Sequence, residues 1–309
     1  MKKTALMCLL ALGVGCGDDD GGPVDSGGGG TDSGAVDSGG GGDTRTLSYD
    51  FTGLPALGAD FVYEGWIIVD DAPVTTGRFT IGDDGNPTPA TFEVPAAMVE
   101  MATAFVLSIE PAVGDDPAPA ATKILGGPLA SGSATLSIAF PAALNDDFSS
   151  ATGTFFLATP TSTATDDDNL GIWFITPGEP PTAGLTLPAL PAGWVYEGWV
   201  VDTSGDAPAP VSTGRFTDVA AADDNGAGPG AGSEAAPPFP GEDFVTPPVD
   251  LTAEHMAVLT VEPEPDDSPA PFQIKPLGLP IGTDVSPANP YTMNNIIADN
   301  TVTGTATFE

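Results

Sequence analysis

Short apolar segments separated by polar turns recur along most of this chain. In the first half these segments span residues 62–69, 78–81, 105–109, 134–140 and 154–158. They are rich in β-branched and aromatic residues, and clusters of proline, glycine and aspartate separate them, as is typical of antiparallel strands. The pattern predicts an all-β fold with antiparallel, sandwich-like sheets. Helix is expected only in one or two turns at residues 95–102, with a counterpart at residues 250–256.

The second half of the chain repeats the first. Residues 54–66 return as residues 187–199 with 10 of 13 positions identical, and residues 105–129 match residues 257–281 at 12 of 25 positions. A third block, Thr-Gly-Arg-Phe-Thr, lies between these two in each copy. Three ordered blocks indicate a duplication, so the sequence predicts two tandem β-sandwich-like domains.

The predicted domains are the first repeat, residues 46–160, and the second repeat, residues 169–309. A short acidic junction separates them. The second repeat is longer mainly at residues 219–248, which are rich in alanine, glycine, proline and acidic residues. We expect this insertion to be a surface loop.

The amino-terminal residues have the pattern of a bacterial lipoprotein signal. Lys2 and Lys3 precede a short apolar run that ends at Gly15-Cys16 and is followed by aspartates. This predicts a signal peptide over residues 1–15 and acylation of Cys16, which would anchor the protein in a lipid bilayer. The alternative is an ordinary cleavable signal with an incidental cysteine. Residues 16–45, composed mostly of glycine, aspartate and serine, predict a disordered tether.

The charge balance excludes one class of partner. Seven basic residues face 43 acidic ones, which gives a net charge of −36. Such a chain repels the phosphate backbone, so nucleic acid is not expected as a partner.

Several charged residues recur at equivalent positions of the two repeats. The recurring pairs are Arg78 with Arg215, Lys123 with Lys275, Glu64 with Glu197, and Glu110 with Glu262. We predict that each arginine pairs with a glutamate on the neighbouring strand, Arg78 with Glu64 and Arg215 with Glu197, and fixes the strand register. The alternative is that the arginines recognise a carboxylated ligand.

Two further motifs resemble those of a known family. In each repeat a strand ends in Glu-Pro, at Glu110-Pro111 and Glu262-Pro263, and a proline-containing segment leads to a lysine and the next strand. With Tyr63-Glu64-Gly65-Trp66, this arrangement resembles the extracytoplasmic C-terminal domain of the anti-sigma-K factor family. The resemblance implies an interaction or sensing role in the envelope. Because the chain has no stretch of 18 apolar residues and no His/Cys cluster, direct binding of a sigma factor is not expected.

The sequence gives few candidates for catalysis or metal binding. His255 is the sole histidine, which argues against a multi-histidine metal site and against the usual general base. Paired aspartates such as Asp83-Asp84 and Asp115-Asp116 leave structural calcium as an alternative, although none has EF-hand spacing and aspartate favours turns for backbone reasons. We therefore predict no catalytic residue, no metal site and no cofactor.

These observations favour a non-catalytic, acidic lipoprotein of the cell envelope, facing the periplasm or the cell surface. Its expected partners are the bilayer, through Cys16, and an envelope protein. The alternatives are a structural or adhesive surface protein and a hydrolase that uses carboxylates.

Overall fold

Antiparallel strands supply nearly all of the regular secondary structure of the described chain, which confirms the predicted all-β fold class. The computed structural model describes residues 42–266, 268–286 and 288–309. The predicted signal peptide, Cys16 and nearly all of the predicted tether lie outside these residues. Arg45, assigned to the tether, lies within the first strand. No helix in the described part of the chain has the length and hydropathy needed to cross a membrane.

The first repeat contains nine strands and one short helix. These are β1 (Thr44–Thr52), β2 (Phe61–Val69), β3 (Ala72–Ile81), β4 (Pro87–Thr88), β5 (Thr91–Pro95), α1 (Ala96–Met101), β6 (Ala104–Pro111), β7 (Lys123–Pro128), β8 (Ser133–Ser137) and β9 (Thr152–Leu157).

The rest of the described chain contains twelve strands and two single-turn 3₁₀ helices, Asp168–Leu170 and Ile297–Asp299. The strands are β10 (Gly171–Trp173), β11 (Ile175–Thr176), β12 (Thr182–Ala183), β13 (Leu185–Thr186), β14 (Trp194–Asp202), β15 (Ala209–Phe216), β16 (Gly241–Asp243), β17 (His255–Pro263), β18 (Leu277–Pro280), β19 (Tyr291–Thr292), β20 (Asn294–Asn295) and β21 (Thr303–Phe308).

Equivalent strands form equivalent sheets. In the first repeat the order is β4-β3-β2-β6-β7-β8-β21-β1-β5, and in the second repeat the order β15-β14-β17-β18-β20 reproduces its centre. Phe92 of β5 reaches Phe79 of β3, with ring centroids 6.2 Å apart. The two edges of the first sheet therefore approach each other around a shared aromatic core.

The last strand of each repeat lies in the sheet of the other repeat. Strands β9 and β21 share the sequence Thr-Gly-Thr, at residues 152–154 and 303–305. Strand β21, the last of the chain, pairs with β8 and β1 of the first repeat. Strand β9 makes the corresponding pairs with β19 and β13 of the second repeat. The repeats thus exchange their final strands.

This strand exchange joins the repeats through their cores. Phe308, on β21, is buried and packs against Phe105 of the first repeat at a centroid distance of 6.5 Å. Phe155, on β9, stacks on Tyr291 of the second repeat at 5.0 Å. Residues 42–309 form one compact unit, so an arrangement of two separate tandem domains is not confirmed.

The repeated Glu-Gly-Trp sequence is explained by close approach of the backbone to its neighbours. A Cβ atom on Gly65 would lie 2.5 Å from Thr76 Oγ1 and 2.8 Å from Phe105, and a Cβ atom on Gly198 would lie 2.3 Å from Thr213 Oγ1. Only glycine fits at these positions. The register of β2 with β3, and of β14 with β15, shifts at this point in both repeats.

Two local predictions were wrong in part. Helix α1 lies within residues 95–102, as predicted, but its counterpart at residues 250–256 is a series of turns, and His255 already begins β17. The insertion at residues 219–248 is not simply a surface loop. It carries β16, whose three residues are buried, and the side chain of Phe239 is buried as well.

The two ends of the folded unit lie side by side. The Thr46 amide donates to the Glu309 carbonyl at 2.8 Å, and the Glu309 amide donates to the Thr46 carbonyl at 3.0 Å. These bonds continue the pairing of β1 with β21.

Candidate functional site

In the first repeat, the recurring charges meet at the ends of β2, β3 and β6. Glu64 and Arg78 are register partners, and Arg78 Nε lies 3.5 Å from Glu64 Oε2. The Arg78 guanidinium also lies 3.7 Å from Asp115 Oδ2 and donates to the carbonyl of Pro111. Glu64 is buried. Arg78 therefore neutralises a buried carboxylate and joins the end of β6 to β3.

Glu110, which completes this cluster, is fully buried and well supplied with donors. It accepts from the Ser108 hydroxyl and from the Ala120 amide, at 2.9 and 3.1 Å. The Trp66 indole donates to Ser108 Oγ at 2.8 Å, and Lys123 Nζ donates to the Ala120 carbonyl at 2.9 Å. Burial raises the pKa of Glu110.

The second repeat places the same residue types together but adds two acids. Arg215 Nε lies 3.1 Å from Glu197 Oε2, and its other guanidinium nitrogens lie 3.4 Å from Glu264 Oε2 and 3.3 Å from Asp266 Oδ2. Glu197 is buried, and its pKa is raised by that burial. Ala112 and Gly114 stand where Glu264 and Asp266 stand in this repeat. Arg215 therefore balances three carboxylates.

Glu262, the equivalent of Glu110, is buried but only partly hydrogen-bonded within the described residues. Its Oε1 accepts from the Phe272 amide at 2.8 Å, whereas its Oε2 is buried without a hydrogen-bond partner among the described residues. Burial raises the pKa of Glu262 to about 7. Lys275 Nζ donates to the Phe272 carbonyl at 2.7 Å, and burial lowers the pKa of this lysine.

Three acids of this cluster are close enough to be considered as metal ligands. Carboxylate oxygens of Glu197, Glu262 and Asp266 lie within 4.8 Å of one another. The Arg215 guanidinium already pairs with two of them. The arrangement therefore has its counter-cation in the chain itself, and its evident effect is to stabilise the strand ends.

A second feature, the cleft, occurs in the second repeat. It has a volume of about 480 Å³ and lies between the β14–β15–β17 sheet and residues 229–249, nearly all of which belong to the insertion. Much of its wall is apolar, and the larger apolar side chains are Val200, Val211, Phe244 and Val249. Three ionisable residues also line it, namely Asp202, Glu242 and His255.

Glu242 lies in β16 with only 2% of its surface exposed. The Asn225 side-chain amide lies 3.4 Å from its Oε2, which is a long hydrogen bond. Burial, with Asp223 and Asp243 nearby, raises the pKa of Glu242 to about 7. Asp243 is better satisfied, since it accepts from the Trp173 indole at 2.7 Å and from Thr161. Glu242 is therefore a weakly compensated acid at a cleft.

Asp202 and His255 form the other polar side of the cleft. They are register partners at the ends of β14 and β17. Asp202 accepts from the Ser204 amide and hydroxyl, and these bonds lower its pKa. His255 Nδ1 is buried and has no hydrogen-bond partner in the described part of the chain.

None of the three ionisable residues of the cleft was a predicted site residue. Val69 and Thr103 replace Asp202 and His255 in the first repeat, and Glu242 lies in the insertion. The signal that could have found them is this difference between the copies, because the site prediction considered only charges that recur.

No protein-family model matches the chain, and no curated protein or solved structure matches it either. The resemblance to the outer domain of anti-sigma-K factors therefore stays a prediction.

Proposed function

We propose that the chain is a lipid-anchored protein of the cell envelope whose folded part binds a ligand without converting it. In this proposal it acts as an interaction or sensing module, similar to the outer domain of anti-sigma-K factors. The cleft of the second repeat is the proposed binding surface. Fold alone does not imply function, so the proposal depends on the site.

One observation carries the proposal. The charged residues that the repeats share, such as Arg78 and Arg215, are bonded within the fold. Three ionisable residues that the first repeat lacks, Asp202, Glu242 and His255, line a single cleft. A duplicated fold needs its shared residues for folding, whereas unshared polar residues at an apolar cleft are typical of a ligand site.

A site-specific photo-crosslinker at Val211 would test this proposal. Val211 lines the cleft and is 50% exposed, so the probe should be tolerated there. Val74 is the matched control, because it occupies the equivalent position of β3 in Ala-Pro-Val. In cells that produce the full chain, we expect a discrete adduct from position 211 and none from position 74. Equal labelling at both positions would contradict the proposal.

The proposed anchor requires a separate test. Replacement of Cys16 by alanine removes the acyl acceptor, so the variant should leave the membrane fraction and appear in the soluble envelope fraction. The wild-type chain should remain with the membrane. A variant that stays with the membrane would contradict acylation at Cys16.

A structural or adhesive surface protein is the second candidate. The exchange of β9 and β21 favours it, because the repeats cannot separate without removing a strand from each sheet. This candidate predicts binding to surfaces or glycans and no selective adduct from position 211.

A further inference from the structure

We propose that the cleft binds a small organic cation, namely a protonated amine carried on an aromatic or branched aliphatic body. This inference deepens the proposed function and rests on it. It names the chemical class of the ligand from the charges and the walls of the cleft.

The charges of the cleft favour a cation. Glu242 and Asp202 both line it, and the described lining includes neither lysine nor arginine. The two cations shared with the first repeat, Arg215 and Lys275, are bonded to other groups. A buried carboxylate without a nearby cation is costly. Among the described residues, the hydrogen bond found for the Glu242 side chain is the long one from Asn225. An ammonium group would supply the missing charge and two or three hydrogen-bond donors.

His255 lies on the sheet side of the cleft, near Asp202 and Asp250. It lies opposite Asp202 in the register and also interacts with Asp250, whose carboxylate accepts from the Thr252 amide and hydroxyl. These acids are therefore partly satisfied by local bonds, whereas Glu242 is held by the insertion on the opposite wall. We assign the ammonium to Glu242 and leave Asp202 as a secondary attraction.

The walls set the size and polarity of the rest of the ligand. A volume of about 480 Å³ lies within the range of small-molecule sites, roughly 300–1,000 Å³. Val200, Phe244 and Val249 offer apolar contact, and Val211 stands at the exposed rim. A phenyl group or a branched alkyl group would fit this environment, whereas an anion would meet two carboxylates.

Three phenyl-containing probes of similar size test the inference on the full-length chain by calorimetry. They are 2-phenylethylamine, the neutral 2-phenylethanol and the anionic phenylacetate. We expect the amine to bind at least tenfold more tightly than the alcohol, and phenylacetate to show no binding. Absence of amine binding at millimolar concentration, or equal affinity for amine and alcohol, would overturn the inference.

Two variants locate the binding. Glu242→Gln should abolish the tenfold preference for the amine, whereas the matched control Glu234→Gln, at an exposed position of the same insertion, should retain it. Val211→Arg should fill the rim with a fixed cation and abolish amine binding. Because Val211 is half exposed, this variant should melt at the wild-type temperature, so the test does not depend on the stability of Glu242→Gln. Amine binding that survives both changes would place the ligand elsewhere and overturn the inference.

The two proposals fail in different ways. A selective adduct from position 211 without a preference for the amine would retain the proposed function and reject the cationic ligand. No selective adduct together with no amine binding would reject both.

Discussion

The charged clusters of the two repeats have the same arrangement of residues. They differ in how many carboxylates the arginine faces and in how completely the buried glutamate is hydrogen-bonded. In the first repeat Arg78 faces Glu64 and Asp115, and Glu110 accepts bonds at both oxygens. In the second repeat Arg215 faces three carboxylates, and Glu262 leaves one oxygen without a partner among the described residues. A repeated set of residues therefore fixes the geometry of the strand ends, while the turn beside it sets how much buried charge the arginine must balance.

Removal of β21 should have the largest effect on the stability of the first repeat. Deletion of residues 300–309 takes the buried side chains of Val302, Ala306 and Phe308 from the core and leaves β1 and β8 without their shared partner. We expect loss of cooperative unfolding for the first repeat, measured by circular dichroism during heating, and rapid proteolysis near β1.

A peptide of residues 300–309, added in excess, is the control for this deletion. It should bind between β1 and β8 and restore protection from protease. A truncated chain that melts like the intact one would show that the first repeat does not depend on the exchanged strand.

Replacement of the arginines should have the next largest effect. Arg215→Met leaves Glu197 and Asp266, both largely buried, without their cation. Removal of one partner of a buried pair costs about 3–5 kcal/mol in free energy of unfolding. Arg78→Met should cost less, because Arg78 is more exposed and faces two acids rather than three.

Urea denaturation of both variants measures this difference. Lysine at the same positions is the control, since it retains the charge but not the planar, multiply bonded geometry. Equal losses of free energy of unfolding in the two arginine variants would contradict the inference that Arg215 balances more buried charge than Arg78.

The pH dependence of stability should distinguish Glu262 from Glu110. Since burial raises the pKa of Glu262 to about 7, the folded chain holds this proton more tightly than the unfolded chain does. Its contribution to stability is therefore full below the ordinary pKa of glutamate, near 4.5, and is lost as pH rises to 7. Glu242, with a pKa of about 7, and Asp223, at about 6, act in the same direction.

Glu262→Gln removes this loss. Relative to wild type, the variant should gain on the order of 3 kcal/mol in free energy of unfolding between pH 4.5 and pH 8, from about 1.4 kcal/mol per pKa unit. Glu110→Gln is the control, because an amide nitrogen there would oppose the Ala120 N–H, so it should destabilise the fold even at pH 8. Thermal melts of both variants across this range provide the measurement, and identical profiles would contradict the assignment.

The smallest effect is expected from substitution of the glycine that lies against the Glu242 side chain. Gly228 has a φ of +81°, and a Cβ atom there would lie 2.1 Å from Glu242 Oε1. Gly226 has a φ of +68° with no atom within 4 Å of its Cβ position. Alanine at either position carries the strain of a left-handed conformation, about 1 kcal/mol or more, and only Gly228→Ala should also displace Glu242.

The difference in melting temperature between these two variants isolates the contact with Glu242. We expect Gly228→Ala to melt a few degrees lower and to weaken any amine binding at the cleft. The same melting temperature for both variants would show that Glu242 moves without cost.

Much of the fold was predictable because its signals are local. The strands around Tyr63 and Phe105 follow from β-branched and aromatic runs, and the close glycine contacts explain why Tyr-Glu-Gly-Trp recurs. The exchange of β9 and β21 was not predictable. Both strands carry Thr-Gly-Thr and face equivalent partners, so local sequence does not determine which repeat each strand joins.

The site was predictable only where charges recur. Glu64 with Arg78, and Glu197 with Arg215, lie on paired strands in equivalent blocks, and the structure brings each pair together. Glu242 was missed because acids within a glycine- and proline-rich segment usually indicate a solvated loop. Its burial depends on the packing of the insertion against the sheet, which no local pattern encodes.

The hydrogen bonds between Thr46 and Glu309 have a consequence for the connectivity of the backbone. A few residues that link Glu309 to Gly42 would close the folded unit into a circle with little change in its native conformation. Closure would restrict the unfolded chain and so favour the folded state. In the closed chain β21 would run through the new link into β1, and β9 already runs on to β10, so each exchanged strand would be covalently continuous with the sheet it completes.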